Sequence, residues 1–250
     1  PQADPAAAHI EVMSWNVYAL NGQVEGLQEF LRSKPADVVA LEEFSGRWIA
    51  GDEVLRQHYP YQSIYPNTCP SGIVLLSAYP ILDQNAFEAG VPIRRMLPMC
   101  WARLDLGNGR TLIFMGAHPQ SPDPIPRACL RANPLCYDTT ERDREIARIR
   151  EQIGGFLATG EPLLLAGDFN TTEREPAYGD LAAGLQDSYR TVGSGNGSTW
   201  TPIRFLRLGM PLLRIDYLLA SPAVTPLSMT TDCTPRGSDH CLVRGRFEIK

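Results

Sequence analysis

Apolar runs along this chain stop abruptly at carboxylates, amides and imidazoles. Leu163-Leu164-Leu165-Ala166 runs into Gly167-Asp168-Phe169-Asn170. Leu212-Leu213 and Leu218-Leu219-Ala220 flank Arg214-Ile215-Asp216-Tyr217, and Gly237-Ser238-Asp239-His240 precedes a further apolar stretch. A buried strand delivers polar chemistry to its rim in this way. Alternation and β-branching predict strands over 9–15, 37–41, 61–65, 73–76, 99–106, 111–117, 163–166, 215–220 and 241–249. The Gly107-Asn108-Gly109 segment marks a hairpin between two of them. Helical spacing predicts helices over 22–32, 48–58, 139–157 and 176–183. The longest has Ile146, Ile149, Ile153 and Phe156 as its apolar stripe and Thr140 as its N-cap, with Glu141 and Asp143 in the first turn. Helices come singly between strands, and hairpins coexist with strand–helix–strand units. That pattern predicts an α/β sandwich of mixed sheets.

The chain has 250 residues and shows no internal repeat or break in composition, so one domain is expected over 10–250. Residues 1–9 are Ala/Pro-rich and read as a linker, left after processing or after loss of a signal or anchor segment. No apolar run approaches the ~18–20 residues of a membrane helix. Net charge is −5, so the totals announce no basic nucleic-acid-binding face. A bound cation can still invert the local field for a polyanionic substrate. The six cysteines lack the C-x-x-C spacing of a zinc site, and their even count favours disulfides and an exported, extracellular or periplasmic setting. Cys129–Cys136, closing a Pro- and Arg-containing loop, is the first expected pairing.

The polar residues at predicted strand ends are Asn16, Glu43, His118, Asp168, Asn170, Asp216, Asp239 and His240. Carboxylates and amides are hard oxygen ligands and suit Mg2+, Mn2+ or Ca2+. Crowded carboxylates repel one another unless a cation sits among them. His240 is expected to pair with Asp216 and to activate water, with His118 serving the departing oxygen and Asn170 a developing oxyanion. Such a set is suited to hydrolysing a phosphate ester. Taken singly, Asn16 reads as a turn residue, Glu42-Glu43 as a solvated strand exit, and Asp216 as a surface partner of Arg214. Arg142, Arg144 and Arg148 read as a solvated helix face, with phosphate contact the alternative. The tryptophans read as packing, with Thr199-Trp200 as a possible pocket lining.

Taken together, Ser14-Trp15-Asn16, the run from Val38 to Glu43, and Gly116-Ala117-His118-Pro119 resemble three motifs of one superfamily. The three later signatures resemble the rest, in the same order and across nearly the whole chain. The chain resembles the endonuclease/exonuclease/phosphatase superfamily, the deoxyribonuclease I-like fold. The resemblance implies a four-layer α/β/β/α sandwich and catalytic Mg2+, with Mn2+ or Ca2+ as substitutes, on Asn16 and Glu43 near Asp239. It implies Asp168 and Asn170 orienting water and phosphate, Asp216–His240 as the base unit, and His118 as in the deoxyribonuclease branch. Gln usually stands where Glu42 does here, and strand alternation predicts that only one of Glu42 and Glu43 faces the site. The expected activity is Mg2+-dependent hydrolysis of DNA phosphodiesters by a monomer without a stable protein partner. A phosphomonoesterase or lipid-phosphate phosphatase is the alternative, and a non-catalytic interaction module the second.

Overall fold

A computed structural model describes residues 7–18, 24–44, 52–64, 68–70, 72–85, 98–124, 137–201, 211–234 and 236–250. Twelve strands form two six-stranded mixed sheets. The first sheet contains β1 (Ala8–Asn16), β2 (Val38–Phe44), β3 (Tyr61–Ser63), β4 (Gly72–Ser77), and the last two strands of the chain, β13 (Val224–Asp232) and β14 (Leu242–Ile249). Their order is β13-β14-β1-β2-β4-β3. The second contains β5 (Ile81–Gln84), β6 (Met99–Gly107), β7 (Arg110–Ala117), β10 (Leu163–Asp168), β11 (Gln186–Asp187) and β12 (Asp216–Ala220). Their order is β11-β12-β10-β7-β6-β5. A two-residue pair, β8 (Asp123–Pro124) with β9 (Tyr137–Asp138), stands apart.

Three apolar layers account for the stacking. Between the sheets lie Val12, Val38, Ala40, Leu75, Phe114, Leu164, Ala166, Leu218 and Phe247, among others. The outer face of the first sheet is covered by α1 (Val24–Ser33) and α2 (Glu53–His58), through Leu27, Phe30, Leu31 and Leu55. The outer face of the second is covered by α3 (Thr140–Thr159) and α4 (Pro176–Ala182). The expected stripe of Ile146, Ile149, Ile153 and Phe156 is the buried face of α3. The result is the four-layer α/β/β/α sandwich. Each fully buried aromatic or aliphatic side chain in these layers contributes about 1.5–3 kcal/mol of transfer free energy.

Topology sets the rim. β1 and β2 pair in parallel across α1, which places Asn16 opposite Glu42. β7 and β10 pair in parallel across α3, which places Ala117 opposite Gly167. Parallel strands joined by a crossover end at the same edge. β12 runs antiparallel to β10 and begins with Asp216 opposite Asp168. Gly167 has φ 147°, and a Cβ there would lie 1.9 Å from the Ala117 carbonyl oxygen. Only glycine allows that approach, and it is what brings His118 beside Asp168.

The Asn108–Gly109 turn is as the sequence predicts, with both central residues at positive φ. The N-cap of α3 is Thr139, one residue earlier than expected, because Asp138 accepts the Thr140 amide and draws that residue into the helix. β13 was not predicted. It carries Pro226 at a register shift and occupies a sheet edge, the place where a strand tolerates proline. The 48–58 helix is described only from Glu53, and the expected Cys129–Cys136 pairing lies outside the described residues. Cys69–Cys100 joins the approach to β4 in one sheet to β6 in the other, and Cys233–Cys241 joins the end of β13 to the entry of β14. No described helix is long and apolar enough to cross a membrane.

Candidate functional site

The face of each strand that fills the inter-sheet core turns polar at the rim. On β1 the positions run Val12, Ser14, Asn16; on β2, Val38, Ala40, Glu42; on β10, Leu164, Ala166, Asp168. Asn16 Nδ2 donates to Glu43 Oε1 (3.1 Å) and to Asp168 Oδ2 (3.0 Å), so one amide bridges the two sheets. Its Oδ1 accepts the Tyr18 amide at 2.9 Å. His118 Nε2 lies 3.6 Å from Asp168 Oδ2 and 3.9 Å from Glu43 Oε1. His240 Nε2 lies 3.7 Å from the same Asp168 oxygen, and its Nδ1 meets the Asp216 carboxylate at 3.1 and 3.2 Å. Asn16, Glu43, His118, Asp168, His240 and Asp216 thus form one connected cluster.

Asn170 and Asp239 border it. The Asn170 amide donates to Asp168 Oδ1 (2.9 Å) while its side chain donates to the Pro119 carbonyl (3.0 Å). Asp239 Oδ2 accepts the Trp200 indole Nε1–H at 3.3 Å. Ser238 Oγ, one residue before it, donates to the Asn16 carbonyl at 2.6 Å, tying this loop to the end of β1.

Several contributors escaped the sequence reading. Both glutamates reach the site, contrary to the alternation rule. A register shift against β4 falls between Glu42 and Phe44, and Glu43 takes φ 55°. That bulge turns two consecutive side chains to one side. Glu42 is fully buried, with Oε1 accepting the Ser14 hydroxyl at 3.0 Å and Oε2 without a partner among the described residues. Thr199 is also buried, and its hydroxyl oxygen accepts the Ile215 and Asp216 amides at the start of β12. The only sequence hints were the unusual Glu-Glu pair and the Thr199-Trp200 step. Asp216 does not pair with Arg214, as the surface reading had it. Arg214 instead grips Asp187 (2.8 Å) and Glu173 (2.5 Å) and lies over the Tyr217 ring.

Electrostatics follow from burial. Burial raises the Glu42 carboxyl well above its ordinary range, with Asp216 and Asp168 adding to the shift. Burial also works against a charged His240, but Asp216 and Asp168 outweigh it and push its pKa up to about 10. Asp216 is raised too, first by burial and then by Asp168, against the pull of His240. Three buried carboxyl groups, Glu42, Asp168 and Asp216, crowd one imidazole. Hard oxygen donors in that state, one of them unpartnered, fit a divalent cation. Asp168, Asp216 and His240 can each offer a ligand atom, all within 4.8 Å of one another.

The family comparison decides the class. The model of the "Endonuclease/Exonuclease/phosphatase family" matches residues 13–240. The chain belongs to that family. Members are divalent-metal-dependent phosphoesterases, and this chain is one by membership. Similar solved structures carry the same fold. An endonuclease/exonuclease/phosphatase family protein from Bacteroides thetaiotaomicron aligns over 98% of this chain and 99% of its own, at 14% identity and TM-score 0.72. Truncated TDP2 from Caenorhabditis elegans aligns over 96% and 97%, at 18% identity and TM-score 0.67. A beta toxin 275–280 structure from Staphylococcus aureus aligns over 94% and 99%, at 18% identity and TM-score 0.64. No curated protein matches the sequence.

Proposed function

We propose that this protein hydrolyses DNA phosphodiester bonds in a Mg2+-dependent reaction, for which Mn2+ or Ca2+ can substitute. The observation that carries the reading is that two imidazoles converge on one carboxylate oxygen. His118 Nε2 and His240 Nε2 lie 3.6 and 3.7 Å from Asp168 Oδ2. Displacing a sugar alkoxide from phosphorus needs a proton removed from water and a proton delivered to the leaving oxygen. Two proton carriers flanking one carboxylate suit both needs.

In this reading His240, held in one tautomer by Asp216, takes the proton of the attacking water. Asp168 orients that water between the rings. His118 gives a proton to the departing oxygen, and Asn170 donates to a non-bridging phosphate oxygen. Glu43 and Asn16, with Asp239 beside them, would hold the cation. Asn16 would have to present its amide oxygen, which now accepts from Tyr18. The ligand set on this side leaves His240 to proton work, since its Nδ1 is committed to Asp216. A bound divalent cation supplies charge neutralisation for the phosphate. With that cation bound, His240 would hold its proton less tightly. An exported, oxidising setting agrees with the two disulfides found among the described residues.

A second reading is a phosphomonoesterase or lipid-phosphate phosphatase. It is favoured by the net charge of −5, which gives a polyanionic duplex no long-range attraction. The test is a panel of plasmid DNA, single-stranded DNA, RNA, an inositol phosphate and a polyprenyl phosphate, each with Mg2+, Mn2+ and Ca2+. Plasmid nicking without phosphate release from the monoesters is expected. Phosphate release with intact plasmid would replace the first reading by the second.

A further inference from the structure

Arg142 is the exception among the arginines of α3. It lies in the first turn of that helix, yet its side chain is only 3% exposed. Its Nη1 donates to the Asn170 carbonyl at 2.8 Å and to Glu175 Oε2 at 2.7 Å, while Nε and Nη2 both donate to Asp143 Oδ1 at 2.9 and 2.8 Å. Two carboxylates and a carbonyl occupy the guanidinium, so it is neither a solvated face nor a phosphate contact. We propose that Arg142 is a positioning residue for Asn170, acting through the Asn170 carbonyl to fix the direction in which its side chain meets the phosphate. The inference rests on the role given to Asn170 above.

The geometry of the loop explains why a clamp is needed. Asn170 has φ 49°, a left-handed conformation that asparagine tolerates better than most residues but still at a cost. Such a conformation persists only where its surroundings over-determine it. Three anchors do so here. Asp168 takes the backbone amide, Pro119 takes the side-chain amide, and Arg142 takes the carbonyl. The third anchor extends further along the chain. Glu175 Oε1 accepts the Thr172 amide at 2.8 Å and its hydroxyl at 3.1 Å, while Oε2 accepts from Arg142. Asn170 and Thr172 are therefore both tied to one guanidinium. The next turn of α3 holds the neighbouring strand exit as well, with Glu145 Oε2 accepting the Gln120 amide at 2.6 Å, two residues after His118. The exits of β7 and β10, which carry His118 and Asp168 to the rim, are thus pinned to the same helix end. Three acceptors in separate directions require a planar fork of donors, which lysine cannot replace.

The test is a double-mutant cycle read on plasmid nicking with Mg2+, over Arg142→Met, Asn170→Ala and the double variant. Arg142→Met is expected to lower kcat by about 10²-fold, the scale of an ångström-level misplacement, with KM little changed. Arg142→Lys should fall between Arg142→Met and the wild type. In the Asn170→Ala background Arg142→Met should cost almost nothing further, since the group it positions is gone. Equal losses in both backgrounds, or an unchanged kcat in folded Arg142→Met, would overturn the proposal. Should Arg142→Met fail to fold, Glu175→Gln in the same cycle weakens the clamp while keeping the arginine, and the same coupling is expected. Failure of the wild type to hydrolyse plasmid DNA would count against the functional reading alone. Hydrogen exchange at the Asn170–Thr172 amides needs no substrate: it should quicken in Arg142→Met relative to Arg148→Met, and equal protection in the two would overturn the clamp.

Discussion

The same strands build the interior between the sheets and the rim, and the two regions obey opposite rules. In the middle Val12, Val38, Phe114, Leu164 and Leu218 exclude water and are almost wholly buried. A turn or two of alternation further on, the same faces present Asn16, Glu42, Asp168 and Asp216, which are equally buried. The middle gains free energy from its burial. The rim spends it, since each carboxylate there loses hydration and faces its neighbours. A fold keeps such a cluster where chemistry requires it and lets the dry middle supply the stability.

The largest test of this contrast is His240→Ala. It should lower kcat per folded molecule by about 10²–10⁴-fold, as expected for loss of a general base, while the thermal midpoint falls only by what the ring contributes against Asp216 and Asp168. A collapse in stability with proportional loss of activity would erase the distinction. Phe114→Ala in the middle should do the reverse. It should cost about 3–5 kcal/mol in denaturant unfolding while kcat per folded molecule stays unchanged.

These contrasts were unevenly legible in the sequence. Asn16, His118 and Asp168 could be found because each ends an apolar run, and Asp216 because apolar runs flank its motif; a run that meets a polar residue is a local signal. The Asn108–Gly109 hairpin is local too. The pairing of His240 with Asp216 followed from residue chemistry. What escaped depends on contacts between distant segments. Glu42 and Glu43 both face the site because β4 forces a bulge on β2. Arg142 is buried because a loop some thirty residues later closes over it. Cys69–Cys100 spans the two sheets, and no spacing rule announces it. β13 hid behind Pro226 and its polar alternation, since an edge strand lacks a continuous apolar run.

Smaller effects sharpen the comparison. Glu43→Gln should raise the Mg2+ concentration for half-maximal activity by about 10-fold, and an unchanged titration would refute its ligand role. Glu42→Gln should stabilise the cation-free protein by about 1 kcal/mol, because it removes a buried, repelled carboxylate. Its raised pKa makes the penalty absent below about 4.5 and growing as pH rises, so the gain should grow likewise. Destabilisation by Glu42→Gln at high pH would show that the carboxylate is compensated. His240 adds a pH-dependent component of its own in the cation-free protein. Its folded pKa of about 10 lies above the ordinary 6.5, so its contribution is complete below 6.5 and is lost as pH rises through about 10. The thermal midpoint should fall over that window in the wild type, and this component should vanish in His240→Ala.

The rim as a cation-dependent centre for attack on phosphorus is tested most directly by plasmid nicking after exhaustive chelation, followed by a Mg2+ titration. The account predicts no detectable nicking in chelator and full recovery as Mg2+ is restored. Nicking that persists in chelator at the original rate would contradict it.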